Sequence, residues 1–322
     1  MPEPQADLPA AMPAAMADPI ALEAAPPSAP PVEVTRTKRL GVTGYLAASW
    51  LSLIAFVVVF VPWLPVDDPT KPFGLKVGLA PKGPGTPGHL LGGDNIGRDL
   101  FARVVWGTRV SMMIGIASVL LGLFVGGALG LIAGYYRGRL DTILSAVFNT
   151  LLAIPQIVLA LTFVAVFAPS EGIHPSSASK RLTVLIVALG IVSIPILARI
   201  TRANTLAWSQ REFVLAARAI GAKNRRIIIR DVLPNVLPAM FSIALLGVAV
   251  VIVAEGGLAI LGVGAKLPDP SWGNIIAEGY PGLRFSFWPI LAPSVAIFLT
   301  VLSLNYLGDI VRARFDVRES AL

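Results

Sequence analysis

Apolar positions dominate six stretches of this chain, and polar positions collect between them. A hydrocarbon core about 30 Å thick takes about 20 helical residues at about 1.5 Å each. The first stretch runs from Tyr45 to Leu64, closed by Pro62 and Pro65, and the second from about Val110 to Gly134. The third, Leu140 to Ala168, is interrupted by Pro155, and the fourth, Leu182 to Ala203, by Pro195. The fifth runs from about Val236 to Val263 and the sixth from about Phe287 to Leu307. None alternates with the period of two that marks a half-buried strand. The pattern predicts an all-α, polytopic membrane bundle of six transmembrane helices. Glycine and proline within the spans do not argue against this, because neighbouring helices satisfy the backbone groups they free. Gly122, Gly126, Gly127, Gly130 and Gly134 give small-xxx-small spacings that read as close helix packing.

Composition strengthens the membrane reading. Apolar residues make up 55% of the 322 and charged residues only 14%, with a mean hydropathy of +0.75. A soluble domain carries about a quarter charged residues, so this chain cannot cover a water-facing surface. The net charge of +7 does not indicate nucleic acid, because the basic residues sit at the ends of apolar stretches where headgroups lie. With no cysteine, disulfides, thiolate nucleophiles and cysteine metal sites are excluded. No metal site is expected, and His89 and His174 fall in outer loops and are expected to be solvated.

The charges also orient the chain. Arg36, Lys38 and Arg39 precede the first span, Arg137 and Arg139 follow the second, and Arg312, Arg314 and Arg318 follow the sixth. The connection after the fourth span adds Arg199, Arg202, Arg211, Arg218, Lys223, Arg225, Arg226 and Arg230, which brings 16 of the 26 basic residues to one face. The positive-inside rule makes that face cytoplasmic, with both termini there. Lys71, Lys76, Lys82, Arg98, Arg103 and Arg109 oppose the rule from the first outer loop. Three regions follow: a Pro/Ala-rich disordered tail over 1–40, a transmembrane domain over 41–310, and a short cytoplasmic tail over 311–322. The first 35 residues lack Lys and Arg and have no unbroken apolar core, so they do not read as a signal peptide.

One segment on the cytoplasmic face does not span. Within the loop at about 204–234, Arg211 to Ile220 reads as a short helix whose Phe213, Ala216, Ala217 and Ile220 share an apolar face. Gly221 ends it, and Pro234 and Pro238 restart the chain into the fifth span. Two uses fit: a projecting knob for a partner's groove, or an interfacial helix lying on headgroups.

The spacing Ala216-Ala217, Gly221, Leu233-Pro234 resembles the cytoplasmic loop of binding-protein-dependent ABC importer permeases, whose motif is Glu-Ala-Ala, three residues, Gly, nine residues, Ile-x-Leu-Pro. Leu215 stands in place of the Glu and Asp231 in place of the Ile. Further segments resemble the dipeptide and oligopeptide branch of that family, in order: His89 to Asp99 (H-x-L-G-T-D-x-x-G-R-D, with Gly93 for Thr), Glu255 to Gly264 (E-A-x-L-S-F-L-G-L-G), Pro270 to Gly273 (P-x-W-G) and Asn305 to Arg312 (N-x-x-G-D-x-x-R). The chain is similar to a C-type permease of a peptide importer over nearly everything after residue 36.

The resemblance implies a type I importer fold in a bacterial plasma membrane, with a second homologous permease, two cytoplasmic ATPase subunits and an external peptide-binding protein as partners. It implies that the knob is the coupling helix, with Arg211, Glu212, Ala216, Ala217, Arg218, Gly221, Ala222, Leu233 and Pro234 serving ATPase coupling. It also implies that ATP and magnesium bind the partner subunits, with no cofactor on this chain. Dipeptides and longer peptides are the leading substrates; nickel complexes, glutathione or other small solutes use similar permeases.

What the chain lacks fits that division of labour. No G-x-x-x-x-G-K-[ST] phosphate loop and no cluster of catalytic groups occurs, so it is expected not to be an enzyme. A stand-alone ion-coupled carrier is the main rival, but it calls for coupling acids in broken helices and often for paired halves. Glu255 is the one acid singled out within a span, where it costs roughly 2.5–3.5 kcal/mol and needs an ion-pair partner or a place on a watery pathway. Asn149, Gln156 and Ser193 lie near kinks and suit helix–helix hydrogen bonds or the pathway. In the outer loop from Gly92 to Arg109, Asp94, Arg98, Asp99, Arg103 and Arg109 are expected on an amphipathic helix that docks the binding protein or braces the first span.

Overall fold

Helices account for every extended element in the computed structural model, which describes residues 41–73, 83–84, 86–169, 176–265 and 269–319, with side chains as far as Ala313. The Pro/Ala tail, Arg36, Lys38, Arg39, Lys76, Lys82 and His174 lie outside the described residues, as do the side chains of Arg314 and Arg318. Among the described residues there are only isolated β-bridges and no strand.

The first span is α1 (Val42–Phe60), closed by a single tight turn over Val61–Trp63 where Pro62 cannot donate to the helix ladder. Next comes α2 (Leu100–Tyr136), whose 37 residues extend about 55 Å, well beyond the hydrocarbon core. It begins ten residues before the predicted start at Val110, so Arg103 and Arg109 belong to a membrane helix and not to a separate amphipathic one. The predicted third span is two helices, α3 (Gly138–Ala153) and α4 (Gln156–Phe167), bent by 84°. Pro155 causes the break: it lacks an N–H, and its ring pushes Ile154 into extended backbone at φ −81°, ψ 129°.

The fourth span is α5 (Ala178–Trp208), continuous through Pro195. The knob helix α6 (Glu212–Ala219) follows, then α7 (Asn224–Arg226), a π-helical turn over Ile227–Val232 and α8 (Leu233–Ile260). The last three form one apolar rod over Asn224–Ile260. Its wide turn falls where Pro234 withholds the donor for a regular i→i−4 bond, and the Leu233 N–H reaches back to the Ile228 carbonyl instead. A short outer helix, α9 (Trp272–Gly279), precedes α10 (Trp288–Glu319), which continues past the predicted end of the sixth span at Leu307. Among the described residues five helices are long and apolar enough to cross a membrane, and the bent α3–α4 pair makes six if it counts as one span.

The core forms where α2, α5 and α8 meet, around Ile114, Leu185, Leu189, Leu197, Val248 and Ile252. α2 and α5 approach most closely, because Gly122, Gly126, Gly130 and Gly134 line one face of α2 at four-residue intervals. A methyl at Gly126 or Gly130 would overlap the carbonyl oxygen of Ile194 or Ala198, and at Gly134 it would lie 2.6 Å from that of Arg202. α1 packs on α10 through Trp50 Nε1, which donates to Thr300 Oγ1 at 3.0 Å.

Candidate functional site

The knob is built by local rules. Arg211 is extended and starts α6, Glu212 lies in the first turn and Arg218 in the last, each of the sign that complements the helix dipole. Gly221 adopts φ +80°, its N–H donates to the Arg218 carbonyl at 3.0 Å, and the Ala222 N–H donates to Ala217 at 3.0 Å. These paired bonds form a Schellman cap, which needs the left-handed conformation that glycine adopts without strain.

Anchoring is specific. Val214, which sequence reasoning missed, is fully buried together with Ile227 and Val232. Arg218 stacks over the Tyr135 ring at 5.0 Å, Tyr135 donates to Asn224 Oδ1 at 2.9 Å, and Arg137 donates to Ser209 Oγ at 3.2 Å. Arg218 thereby holds the knob against the end of α2, and the two hydrogen bonds tie that end to the start of the α7–α8 rod and to the end of α5. The expected apolar face divides: Ala217 turns inward and is half-buried, whereas Phe213, Ala216 and Ile220 are exposed, Ile220 by 83%; Leu215, outside that face, is exposed too. Lys223, Arg225, Arg226 and Arg230, which follow in the chain, are also exposed. Ala222 and Leu233 are half-buried and Pro234 is exposed.

On the opposite face the first outer loop forms a buried ion cluster. Asp94 accepts from the Ile96 and Arg98 amides at 3.0 and 2.9 Å, from Arg98 Nε at 2.7 Å and from Arg103 Nη1 at 2.5 Å. Glu278 on α9 also accepts from Arg103 Nη1, at 3.0 Å, and from Arg98 Nη2. Burial pushes the Asp94 carboxyl upward, but the Arg98 amide bond and the Arg103 and Arg98 charges outweigh it and hold the group below the usual carboxylate range. The loop therefore braces α9 through Glu278, a partner that spacing along the chain does not reveal. Asp99 stands apart from this cluster and caps α2, accepting from the Ala102 N–H at 2.7 Å. Arg109 is exposed one face away. His89 is not solvated: its ring stacks on Phe73 at 3.5 Å and its Nδ1 lies 2.5 Å from Asp99 Oδ2.

Glu255 is fully buried in the last turns of α8, five residues before its end at Ile260. It has no ion-pair partner among the described residues, and Ser271 Oγ donates to its Oε1 at 2.7 Å. Ser271 also caps α9, and the following Trp272 is pinned to α2 by bonds to Ser111 Oγ and the Val104 carbonyl, both 3.0 Å. Gln156 and Ser193 line an apolar cavity of about 190 Å³ among α2, α4, α5 and α8, although Ser193 Oγ is engaged with the Leu189 carbonyl of its own helix. Asn149 is exposed and apart from this cavity. Arg181 escaped the sequence reading, which began the span at Leu182. It is buried and donates to the carbonyls of Gly264 (2.7 Å), Gly262 (2.8 Å) and Ala168 (3.4 Å), tying the ends of α4 and α8 to α5.

Comparison with known proteins agrees with this layout. Residues 126–320, from mid-α2 through the knob to the end of α10, match the family described as binding-protein-dependent transport system inner membrane component. The chain belongs to this family. A dipeptide transport system permease of Alkalihalophilus pseudofirmus is 37% identical over 228 residues, 71% of each chain. A glutathione transport system permease of Pectobacterium atrosepticum is also 37% identical, over 71% of this chain and 72% of that one. A di/tripeptide transport system permease of Pseudomonas aeruginosa is 32% identical over 83% of this chain and 85% of its own. Among solved structures, an inward-facing methionine ABC transporter, MetNI, superposes with a TM-score of 0.55 over 66% of this chain and 97% of that one, at 22% identity, which establishes a common fold. This inner membrane component is thus a multi-pass permease with the type I ABC importer fold.

Proposed function

We propose that this permease carries peptides inward as half of a translocation pathway, beside a second homologous permease. Two cytoplasmic ATPases drive it and an external binding protein delivers the substrate. The supporting observation is the knob: Phe213, Leu215 and Ile220 are exposed on a helix whose Val214 is fully buried and whose Arg218 stacks on Tyr135 at the end of α2. An exposed apolar surface followed by exposed basic residues suits a cleft in a soluble partner, and the Arg218–Tyr135 contact passes a push on α6 to α2. In this reading Arg211, Glu212, Ala216 and Arg218 meet the ATPase, and Gly221, Ala222, Leu233 and Pro234 hold the helix in place. ATP and magnesium, bound by the partner subunits, supply the energy. The knob side and both termini are cytoplasmic in a bacterial plasma membrane, following the excess of basic residues there. Peptides are the substrate class because dipeptide, di/tripeptide and glutathione permeases are all close in sequence.

The test is affinity purification of the tagged chain in mild detergent, with partners identified by mass and the eluate assayed for ATP hydrolysis. A second permease, ATPase subunits and vanadate-sensitive hydrolysis are expected. A chain that elutes alone and ATPase-free in several mild detergents would favour an ion-coupled carrier. For the substrate, loss of labelled di- and tripeptide uptake on deletion is expected; unchanged peptide uptake with lost nickel uptake would overturn the peptide assignment.

A further inference from the structure

Three potential metal ligands converge on the outer face without belonging to the ion cluster or the apolar cavity. Asp67 lies in the loop that follows α1, His89 in the turn before α2, and Asp99 caps α2. One ligand atom from each lies within 4.8 Å of the others. Asp99 is buried and Asp67 exposed, and no Lys or Arg among the described residues pairs with either carboxylate. Asp68, next to Asp67, is occupied by Thr70 and by Lys71 at 3.3 Å. Two carboxylates therefore converge on one imidazole with no Lys or Arg paired to either among the described residues, and a divalent cation balances their charge.

We propose that Asp67, His89 and Asp99 form a binding site for a divalent transition metal of the zinc type. One imidazole nitrogen with two carboxylate oxygens suits zinc, cobalt or nickel better than calcium or magnesium, which take more numerous oxygen ligands. Two contacts hold the ligands in orientation. The Phe73 ring stacks on His89 at 3.5 Å, and the second Asp99 oxygen accepts from the Ala102 N–H at 2.7 Å. Ligand bonds of about 2.0–2.2 Å in a tetrahedral site put the ligand atoms about 3.3 Å apart. The exposed Asp67 therefore moves inward, and the 2.5 Å His89–Asp99 contact opens to admit the metal. Waters complete the coordination. The site ties the end of α1 to the first turn of α2, alongside the backbone bond from Phe73 N–H to the Gly97 carbonyl at 2.9 Å.

The experiment uses the full chain in detergent, purified on a tag without histidine, stripped of metal and titrated with Co²⁺. One equivalent per chain is expected to develop intense visible d–d bands of low-coordinate cobalt, which Zn²⁺ bleaches and Ca²⁺ does not. Asp67→Asn changes an exposed side chain and leaves the fold intact; it should weaken Co²⁺ binding at least about tenfold. His89→Ala should abolish the bands. The sequence holds only two histidines, so His174→Ala is the internal control and should bind as the wild type does. Only weak octahedral cobalt spectra, or affinity unchanged in Asp67→Asn and His89→Ala, would overturn the site.

Discussion

Gly221 is where one residue's torsion decides what the knob can do. Its φ of +80° closes α6, yet a Cβ there would meet nothing within 4 Å, so a substitution acts through the backbone alone. Gly221→Val forces a β-branched residue into the left-handed region at a cost of about 1–3 kcal/mol, which the small α6 cap cannot absorb. The expected outcome is normal membrane insertion with lost ATPase co-purification and lost uptake, whereas Gly221→Asn, which tolerates that region better, keeps part of both. Normal uptake by the valine variant would remove the coupling role from this helix. Arg181 makes a different case, because its planar fork bonds three carbonyls that no neighbouring donor replaces. Arg181→Met should lower the melting temperature, with about 1.5–3 kcal/mol lost per charged hydrogen bond as an upper range. Arg181→Lys should recover only a fraction, since an ammonium cannot match the fork. Full recovery by lysine would show that charge and not geometry holds the two helix ends.

At the scale of elements, the α2–α5 pair rests on backbone-to-backbone approach. Gly130→Ala places a methyl against the Ala198 carbonyl and should cost about 1–3 kcal/mol, read as a lower melting temperature in detergent. Gly257→Ala in α8, with nothing within 4 Å of the new methyl, should be neutral or slightly stabilising by helix propensity. Equal effects at the two positions would refute the close-packing account. The glycine stripe was visible in the sequence because four-residue spacing and helical periodicity are both local. The spans were legible for the same reason, but two of their features were not. Hydropathy marks where a helix enters lipid and not where it ends, so the first ten residues of α2, whose Arg103 is neutralised by Asp94 and Glu278, read as loop. Pro155 announced an interruption, yet the 84° turn depends on what α3 and α4 pack against.

Across the whole molecule, the outer ion cluster joins the loop before α2 to α9, more than 170 residues later in the chain. That separation explains why Asp94, Arg98 and Arg103 group together in the sequence, on one expected amphipathic helix, while their partner Glu278 does not: spacing reveals neighbours along a helix and says nothing of charges brought together by the fold. Val214 was missed for a related reason, since an isolated α6 has no inside. The cluster also carries a pH dependence of definite sign. Asp94 titrates below its ordinary value of 3.8 in the folded chain, so unfolding takes up protons there as pH falls. Its stabilising contribution is complete above about pH 5 and is lost as pH falls through the lower folded value. Melting temperature should therefore show no contribution from Asp94 to any change between pH 6 and 8, and a decline that begins below about pH 4. Asp94→Asn removes the dependence together with the charge, and by leaving Arg103 buried with Glu278 alone it should cost about 3–5 kcal/mol at neutral pH. Asp68→Asn, which alters an exposed pair with Lys71, should leave the neutral-pH melting temperature unchanged. If Asp94→Asn and the wild type lose stability in parallel below pH 4, the acid sensitivity resides in other carboxylates and the cluster braces α9 by geometry alone.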